Sequence, residues 1–492
     1  MKICLASSEV TPFAKTGGLA DVAGALPKAL RALGHRVAIV MPRYRMIDVE
    51  RFGLRRIGVT IEVPIAERIE KADLLEGALD GGAPVYFIDK PAYYDRPALY
   101  GTPEGDYYDN AERFIFFSRG VVEAIKALGL RPHVLHCNDW QTGLTPVYLK
   151  TLYREDPAVA EMPTVFSVHN LGYQGLFPRD DVLMTGLGWE LFTPEGVEFY
   201  NQLGFLKGGL MFADVLSTVS ETYAKEIQTE EFGHGLDGVL RHRSADLYGI
   251  VNGIDYEVWN PATDLHLVAN YSPADLTGKA ACKQALQEEM GLPAEGAPPL
   301  VGIVSRLADQ KGLDLVVEGM DRLLGLGLQL VILGSGEAHY HEALQAAAGR
   351  YPKQLGLVLG FDEGLAHRIE AGADMFLMPS RYEPCGLNQL YSLKYGTIPI
   401  VRATGGLEDT IIDYSEAQGA WTGFKFRPHT TEAMVEAVGR ACRVYADRPV
   451  WQHLMERAMA QDFSWDTSAR AYVALYRRAV ARATAARQGT ST

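Results

Sequence analysis

The sequence predicts an α/β protein made of two doubly wound lobes, and three observations support this prediction. The chain has 492 residues, which is enough for two to four domains of roughly 150 residues each. Its composition, 47% hydrophobic and 22% charged, is ordinary for a globular protein. Short apolar runs alternate with helical patterns in both halves, an order that favours parallel sheets covered by helices.

The first half opens with a predicted strand over residues 3–6. A Gly17-Gly18 turn follows, and apolar residues then recur at helical spacing until Gly34 ends the helix. The next strand, over residues 37–40, completes a βαβ unit. Further strands of this half are predicted at residues 134–136, 164–168, 215–219 and 248–251, and Ser220 is placed to cap the helix after the strand at 215–219.

The second half repeats this pattern. Its strands are predicted at residues 300–304, 330–333, 357–359, 375–378 and 398–401. Turn-rich residues 252–261 and the Pro/Gly-rich stretch 291–299 precede it. We therefore expect a first lobe over residues 1-248 and a second over 249-467, with a final helix from residue 468 whose arginines form a solvated face.

Charge and cysteine content exclude several classes of protein. The formal net charge is −14, which argues against a general affinity for nucleic acid or for an anionic membrane. No apolar stretch reaches the roughly 18 residues of a membrane helix. Five scattered cysteines without a Cys-x-x-Cys pair, and an N-terminus that enters the first strand directly, indicate a cytoplasmic protein without disulfides.

Metal and cofactor chemistry is not expected. The sequence contains no Asp-x-Asp pair and no His-x-x-x-His motif, so neither a magnesium–nucleotide clamp nor a zinc site is predicted. A Gly-x-Ser-x-Gly motif is also missing, which argues against an α/β-hydrolase. We predict no metal and no cofactor.

Two loops of the second half carry candidate ligand-binding residues. Arg306 and Lys311 flank the loop after the strand at 300–304, and a guanidinium with an ammonium suits a diphosphate, although both could be solvated surface cations. Glu383 follows the strand at 375–378. Pro384 suggests that a helix starts there, which would direct the Cys385–Leu387 amides at a phosphate. Glu383 could instead be a capping residue, and Cys385 is interpreted as a packing residue because no histidine is near it.

Three loops of the first half complete the candidate site. Lys15, Gly17 and Gly18 lie between a strand and a helix, where backbone amides can approach an anion, although such a turn is often only structural. Asp139 and His169 follow two further strands and offer proton acceptors to a sugar. Because parallel strands end at one edge of a sheet, we expect these residues to lie near each other.

These motifs together resemble the bacterial glycogen synthase and plant starch synthase family over essentially the whole chain. The similarity is carried by Lys15-Thr16-Gly17-Gly18-Leu19, Asn138-Asp139-Trp140, His169-Asn170-Leu171, Asn252-Gly253-Ile254-Asp255, the loop from Ser305 to Gly312, Ser380 to Leu387, Thr404 to Leu407, and Phe463-Ser464-Trp465. The resemblance implies a retaining GT-B glycosyltransferase, with two Rossmann-like lobes facing each other across a deep cleft. It also implies that the final helix, 468-492, packs back on the first lobe.

The resemblance implies a reaction and a set of residues. The enzyme would transfer glucose from ADP-glucose to the non-reducing-end 4-OH of an α-1,4-glucan, glycogen, with no nucleic-acid or membrane partner. Catalytic roles would fall to Lys15, Asp139, His169, Arg306, Lys311 and Glu383. The substrates would be bound by Lys15, Gly17, Gly18, Asp21, Tyr94, Asn170, Asn252, Ser305, Arg306, Lys311, Gly360, Phe361, Glu383, Cys385, Gly386, Leu387 and Thr404.

Three positions depart from the family pattern. Asn138 stands where many bacterial members have histidine, and Tyr391 stands where related retaining transferases have a second glutamate. Phe361 stands where some members have a tyrosine near the adenine. A phenylalanine can still stack on a base but offers no hydroxyl, and it could also be a core residue at a strand end.

Three alternative functions remain open at this point. A GT-B enzyme could use UDP-glucose or a small acceptor. A two-lobed carbohydrate-binding protein without turnover would need a secretory leader, and its Arg306 and Lys311 would have no purpose with a neutral glucan. An inactive paralogue would be expected to have lost Lys15, Arg306, Lys311 or Glu383, all of which are present.

Overall fold

A computed structural model of the chain describes residues 1–102, 104–296, 298–414 and 419–489. The chain divides into two units. Unit 1 contains Met1–Val219, Ala224–Gly253 and the C-terminal segment from Trp465, and unit 2 contains Ser220–Tyr223 and Ile254–Ser464. The expected lobes were 1-248 and 249-467, whereas unit 1 here extends to Gly253 and unit 2 also takes in Ser220–Tyr223.

The strands are β1 (Lys2–Ala6), β2 (Arg36–Pro42), β3 (Arg55–Ile65), β4 (Arg68–Ala78), β5 (Pro84–Asp89), β6 (Gly101–Thr102), β7 (Gly105–Asp106), β8 (Val134–Asn138), β9 (Thr164–Val168), β10 (Leu176–Pro178), β11 (Glu198–Phe199), β12 (Gln202–Gly204), β13 (Val215–Thr218), β14 (Leu247–Gly249), β15 (Leu300–Leu307), β16 (Gln329–Gly336), β17 (Leu355–Leu359), β18 (Met375–Met378), β19 (Ile398–Arg402) and β20 (Phe424–Phe426).

The α-helices are α1 (Gly18–Ala32), α2 (Pro91–Tyr94), α3 (Asn110–Ala127), α4 (Leu144–Lys150), α5 (Val182–Thr185), α6 (Phe205–Phe212), α7 (Glu221–Glu226), α8 (Asp237–His242), α9 (Thr277–Glu289), α10 (Leu313–Glu318), α11 (Met320–Leu324), α12 (Ala338–Arg350), α13 (Glu363–Gly372), α14 (Asn388–Tyr395), α15 (Gly405–Thr410), α16 (Thr431–Ala446), α17 (Arg448–Met459) and α18 (Trp465–Gly489).

The main sheet of unit 1 has the strand order β14-β13-β9-β8-β1-β2-β5-β4-β3. From β14 to β5 the neighbouring strands are parallel. Their apolar runs are buried, as expected for strands covered by helices on both faces. The strand order reverses about β1, so the carboxyl ends of β1, β8 and β9 define the ligand edge of this sheet.

Unit 2 contains a parallel sheet in the order β17-β16-β15-β18-β19-β20. Its core joins the strand residues to apolar residues of the helices around them, among them Leu344, Ile369 and Leu393. The predicted α/β class and the strands predicted in this half are confirmed. Ser220 also caps its helix as predicted, since its Oγ accepts the Tyr223 amide at 3.0 Å.

An antiparallel hairpin of β3 and β4 extends the first sheet and was missing from the sequence-based prediction. Its strands alternate buried and exposed residues instead of forming apolar runs. The exposed positions carry opposite charges across the pair. Glu62 faces Lys71 with their charged atoms 2.6 Å apart, and Arg55 faces Glu76. Such a pattern indicates a half-solvated strand pair.

Helix α18 packs within unit 1 on the side of β8, β9 and β13. Its Tyr476 hydroxyl lies 2.9 Å from His136 Nδ1, and His136 Nε2 lies 2.6 Å from Ser167 Oγ. The arginines on the described part of this helix are partly exposed. Arg482 pairs with Asp246, and Arg478 lies over the Tyr248 ring.

Candidate active site

A buried ion pair lies at the carboxyl ends of two neighbouring strands of unit 2. Strands β15 and β18 pair in parallel through Val301 and Met375, so the loops that follow them are adjacent. Lys311 Nζ lies 2.6 Å from Glu383 Oε2, and the two side chains are only 20% and 6% exposed. Ser380 Oγ donates to the same carboxylate at 2.9 Å. The cation predicted to hold a diphosphate and the predicted sugar carboxylate therefore form one cluster.

The two loops are joined through their backbones. The Arg381 amide donates to the Gln310 carbonyl at 2.9 Å. Gly312 has φ +71°, and a Cβ at this residue would overlap the Pro379 carbonyl oxygen, so only glycine allows this close approach. Arg306 is exposed, and its Nη2 donates to Gln310 Oε1 at 2.9 Å. Arg306 lies near the end of β15, where it pairs with Ser335, and only Lys311 lies in the loop that follows. The expectation that both cations flank one loop is therefore corrected, because the strand extends to Leu307.

A third loop, after β19, supports the Glu383 segment. Strand β19 pairs with β18, and the Gly406 amide donates to the Glu383 carbonyl at 3.1 Å. Gly405 has φ +45°, and a Cβ there would overlap the same carbonyl oxygen. The predicted residue Thr404 is buried at the start of this loop. Its neighbours Gly405 and Gly406 contact the Glu383 backbone, so Thr404 is held next to that segment.

The prediction that a helix starts at Pro384 is wrong. Helix α14 begins at Asn388, and residues 384–387 form a turn in which Gly386 has φ +72°. Asn388 Nδ2 donates to the Val304 carbonyl at 2.7 Å, which ties the helix start to the end of β15. Within the described part of the chain, the Gly386 and Leu387 amides have no acceptor. These two N–H groups are available to an anion even though they precede the helix.

Phe361 is a surface residue. It follows β17, with Gly360 between them at φ +154°, and it is 90% exposed. The alternative that it belongs to the core is therefore excluded. A bare aromatic face after a strand of this sheet suits stacking on a planar group. Ser305 lies on β15, where its Oγ donates to the Arg306 carbonyl at 3.1 Å.

In unit 1, Asp139 and His169 lie together at the ends of β8 and β9. Asp139 Oδ1 accepts the His169 amide at 2.7 Å. Asp139 has φ 57° and ψ −180°, a region that glycine populates and that costs another residue about 1–3 kcal/mol. Strain of this kind is concentrated at functional sites, and here it holds a half-buried carboxylate at the ligand edge of the sheet.

The hydrogen bonds of Asn138 fix the orientation of His169. Asn138 Nδ2 donates to the Ala6 carbonyl at 3.1 Å, so its Oδ1 is the acceptor that faces His169 Nε2 at 3.0 Å. His169 Nε2 therefore carries the proton, and Nδ1 is an acceptor. Nδ1 is buried and has no partner among the described residues. A sugar hydroxyl is a suitable donor to this nitrogen.

Burial shifts the proton affinities of these side chains. It raises the pKa of Asp139 to about 7, with a further rise caused by the Glu9 carboxylate, although the His169 and Asn170 amides oppose the shift. Burial lowers the pKa of His169 to about 4 and that of His136 to about 3. Both imidazoles are thus neutral near pH 7, whereas Asp139 can exchange a proton there.

The Lys15–Gly18 loop is held by two carboxylates. Lys15 Nζ lies 2.6 Å from Asp21 Oδ1, and Asp21 belongs to the first turn of α1. On the other side, Glu9 accepts the Thr16 and Gly17 amides at 2.5 and 3.2 Å. The Gly17 amide is therefore already used, contrary to the expectation that it faces a ligand. A Cβ at either Gly17 or Gly18 would meet nothing within 4 Å, so the space beside them is open.

Tyr94 does not have the predicted role of a sugar contact in this structure. Its side chain is fully buried, and its hydroxyl donates to the Arg113 carbonyl at 3.1 Å. Its ring packs edge-on against Tyr44 with centroids 5.7 Å apart. A residue without exposed surface cannot touch a sugar, so Tyr94 acts through packing.

The remaining predicted residues have local roles. Asn170 Oδ1 accepts the Gly172 amide at 2.9 Å and shapes the loop after His169. Asn252 is buried after β14, and its Oδ1 has no hydrogen-bond partner among the described residues. Cys385 is buried like a packing residue.

Sequence reasoning missed Glu9 and Ser380 as members of the site. Each is a buried polar residue just after a strand, Glu9 after β1 and Ser380 after β18. That position was the available signal, because polar side chains at the carboxyl ends of parallel strands face the ligand edge. Both act on predicted site residues, since Glu9 binds the Thr16 and Gly17 amides and Ser380 donates to Glu383.

Comparisons with known proteins match both units. A family model described as the starch synthase catalytic domain matches residues 2–242, and a model described as glycosyl transferases group 1 matches residues 288–448. A glycogen synthase from Anaeromyxobacter sp. strain Fw109-5 is 54% identical over 97% of this chain and 99% of its own length. A glycogen synthase from Koribacter versatilis is 50% identical over 97% of this chain and 98% of its own.

Two solved structures are also similar. The catalytic domain of starch synthase IV from Arabidopsis thaliana, solved with ADP and acarbose, has a TM-score of 0.90 at 36% identity and covers 98% of this chain and 99% of its own. A sucrose-phosphate synthase from Thermosynechococcus elongatus has a TM-score of 0.58 at 18% identity over 98% of this chain and 99% of its own, and supports the fold alone.

The two Rossmann-like units and the strand-end clusters on each define a glycosyltransferase of the GT-B fold. The two glycogen synthases share 54% and 50% of their residues with this chain over nearly its full length, which establishes the family. The chain belongs to the glycogen synthase and starch synthase family. No helix in the described residues is both long and apolar enough to cross a membrane.

Proposed function

We propose that this enzyme transfers glucose from ADP-glucose to the 4-OH at the non-reducing end of an α-1,4-glucan, with retention of configuration. The observation that carries the proposal is the Lys311–Glu383 pair, with Arg306 near the end of the strand that precedes the Lys311 loop. Cations of these two types suit a diphosphate, and a carboxylate can accept hydrogen bonds from the hydroxyls of a neutral sugar. The solved starch synthase IV was bound to ADP and acarbose, which supports an adenine nucleotide and an α-glucan.

Unit 2 is proposed to hold the nucleotide. The chain has a net charge of −14, so the charge of a diphosphate has to be compensated locally. Arg306 offers a planar pair of donors and Lys311 a point charge, and the Gly386 and Leu387 amides add two uncharged donors. The exposed ring of Phe361 would stack on adenine.

The sugar contacts are proposed for Glu383, His169 and Asp139. His169 Nδ1 is a buried acceptor without a partner in the described chain, and a glucose hydroxyl would satisfy it. Asp139 combines a strained backbone with a pKa near 7, so its protonation can respond to a bound substrate. Glu383 faces the glucose, and its bond to Lys311 couples the sugar end of the site to the phosphate end.

Transfer is proposed to occur on the face of the glucose from which ADP leaves. An oxocarbenium-like glucose forms as the bond to the diphosphate breaks, and the acceptor oxygen then attacks from the same side. The leaving phosphate takes the acceptor proton, so no protein nucleophile is required. The residues contribute position and electrostatic stabilisation of the leaving group.

A panel of sugar nucleotides tests the proposal directly. ADP-glucose, UDP-glucose and GDP-glucose are each supplied with glycogen, with maltotriose and with glucose 6-phosphate. We expect transfer from ADP-glucose to the two glucans, an α-1,4-linked product by NMR, and no effect of EDTA. A preference for UDP-glucose, or for glucose 6-phosphate as acceptor, would replace the proposal with the corresponding GT-B activity.

We propose the cytoplasm as the place of action.

A further inference from the structure

We propose that Glu9 is a positioning residue for the transfer reaction, and that its carboxylate fixes the loop that presents Lys15 and Gly18 to the donor. Glu9 follows β1 and is 4% exposed. Its Oε2 accepts the Thr16 and Gly17 amides at 2.5 and 3.2 Å, and its Oε1 accepts the Thr16 hydroxyl at 2.6 Å. The inference rests on the proposed function, because it assumes that this loop meets the sugar nucleotide.

A carboxylate is well suited to this anchoring role. It accepts several hydrogen bonds and donates none. The Thr16 amide, the Thr16 hydroxyl and the Gly17 amide all donate to it. The Tyr100 hydroxyl supplies a fourth donor, 2.7 Å from Oε1, and also lies 2.8 Å from Ser8 Oγ. Glu9 thereby connects the β1–α1 loop to the segment around Tyr100. A buried carboxylate with four donors holds one geometry more strictly than apolar packing would.

The opposite side of the loop is held differently. Lys15 Nζ pairs with Asp21 Oδ1, but the two side chains are 51% and 28% exposed. An exposed ion pair exchanges easily with an incoming anion. Lys15 can thus leave Asp21 for a ligand while the Thr16 and Gly17 amides stay on Glu9. The loop therefore has a fixed inner anchor and an exchangeable outer partner.

The anchor also determines which amide remains for the ligand. The Thr16 and Gly17 amides are occupied by Glu9, whereas the Gly18 amide at the start of α1 has no acceptor in the part of the chain that the structure describes. The space beside Gly18 is open. Without Glu9, the two inner amides would be released and would compete for an anion in a different loop geometry.

The test compares Glu9→Ala and Glu9→Gln in the full chain. We expect Glu9→Ala to lower kcat/KM for the sugar nucleotide by about 100-fold, as a misplacement of about 1 Å can do. We expect about a tenfold loss for Glu9→Gln, because its amide oxygen still accepts while its NH₂ group opposes a donor. The KM for the glucan should stay unchanged in both variants.

Hydrogen exchange in the absence of substrate measures the anchor itself. The Thr16 and Gly17 amides should exchange faster in Glu9→Ala than in the wild type. Asp246→Asn is the matched control, since Asp246 is another buried carboxylate of unit 1 whose Oδ2 accepts from Arg243 Nε at 2.9 Å. It should lower thermal stability without changing KM for the nucleotide or the exchange of these two amides.

Each contrary outcome has a distinct meaning. Faster exchange with an unchanged kcat/KM for the nucleotide would show that Glu9 is only structural and would overturn the positioning role. Unchanged exchange in Glu9→Ala would overturn the anchor. If the wild type prefers another sugar nucleotide, the proposed donor is wrong and the kinetic comparison is made with the preferred one. If it transfers from none, the proposed function and the positioning role both fall, whatever the exchange shows.

Discussion

The ammonium of Lys311 lies 2.6 Å from the carboxylate of Glu383, and together these residues join two loops of unit 2. A cation that meets a leaving diphosphate and a carboxylate that meets a sugar would each be costly to bury alone. As a pair they compensate each other before any ligand binds. Under the proposed function, a bound diphosphate would give Lys311 a second anionic partner and would change the electrostatic field at Glu383. Under the proposed function, the pair would therefore connect nucleotide binding to the sugar.

Lys311→Ala is expected to lower turnover more than stability. Loss of one preorganised donor to the leaving group costs about 10²–10³-fold in kcat. The unfolding free energy should fall by only about 1–2 kcal/mol, because Ser380 still donates to Glu383. The measurement is the rate at saturating ADP-glucose alongside a thermal melt.

The control for Lys311→Ala is Arg381→Ala in the neighbouring loop. Arg381 pairs with Asp314 at 2.7 Å, and both side chains are well exposed, so its loss should change stability by no more than about 1 kcal/mol and leave kcat nearly unaltered. A normal rate in Lys311→Ala would contradict the role of Lys311. So would a loss of rate fully explained by unfolding at the assay temperature.

Glu383→Ala is expected to abolish transfer while ADP binding persists. In the proposed mechanism, the Gly386 and Leu387 amides hold the phosphates together with Arg306 and Lys311, whereas Glu383 acts on the glucose. Its removal also releases Lys311 from its partner, so ADP affinity should be unchanged or higher. Calorimetric titration with ADP decides this, with Glu383→Gln as the isosteric control. If ADP affinity collapses with activity, Glu383 organises the 380–387 loop instead.

Phe361→Ala is expected to weaken nucleotide binding without destabilising the fold. The ring is 90% exposed, so its removal costs little packing, and a stacked base is worth about 1–3 kcal/mol. The values of kcat/KM for ADP-glucose and UDP-glucose should both fall, since stacking does not identify the base. Phe361→Tyr should bind both donors as well as the wild type does. It should also increase the preference for ADP-glucose if its hydroxyl contacts adenine. Unchanged KM values for both donors in Phe361→Ala would exclude stacking.

Most strands with continuous apolar runs were predicted from the sequence, although β5, with its apolar run at residues 85–88, was missed; the alternating strands were not predicted. Parallel strands such as β1 and β15 are buried on both faces, so their composition alone identifies them. The β3–β4 hairpin carries charges at its exposed positions, which conceals it from a search for apolar runs. The start of α14 was placed too early because Pro384 fits a helix start, whereas Gly386 holds an extra turn with positive φ.

The sequence predicted that Lys311 and Glu383 follow neighbouring strands, and the structure places their charged atoms 2.6 Å apart. Their roles toward a ligand stay predictions. The candidate site was not predictable where position depends on tertiary packing. The burial of Tyr94 follows from packing against Tyr44 and Arg113, and no local pattern shows it. The same holds for Glu9, whose four hydrogen-bond donors come from two separate segments of the chain.

Asp139→Asn is expected to stabilise the protein increasingly as the pH rises and to remove activity. Burial raises the pKa of Asp139 to about 7, so the folded protein binds this proton more tightly than the unfolded chain does. The stability due to the protonated form is complete below the ordinary pKa near 4 and is lost as the pH rises through about 7. Asparagine keeps the neutral form at every pH. Its advantage should grow by about 2–3 kcal/mol between about pH 5 and about pH 8, measured by urea unfolding of both proteins. An advantage that is equal at the two pH values would show that Asp139 ionises normally.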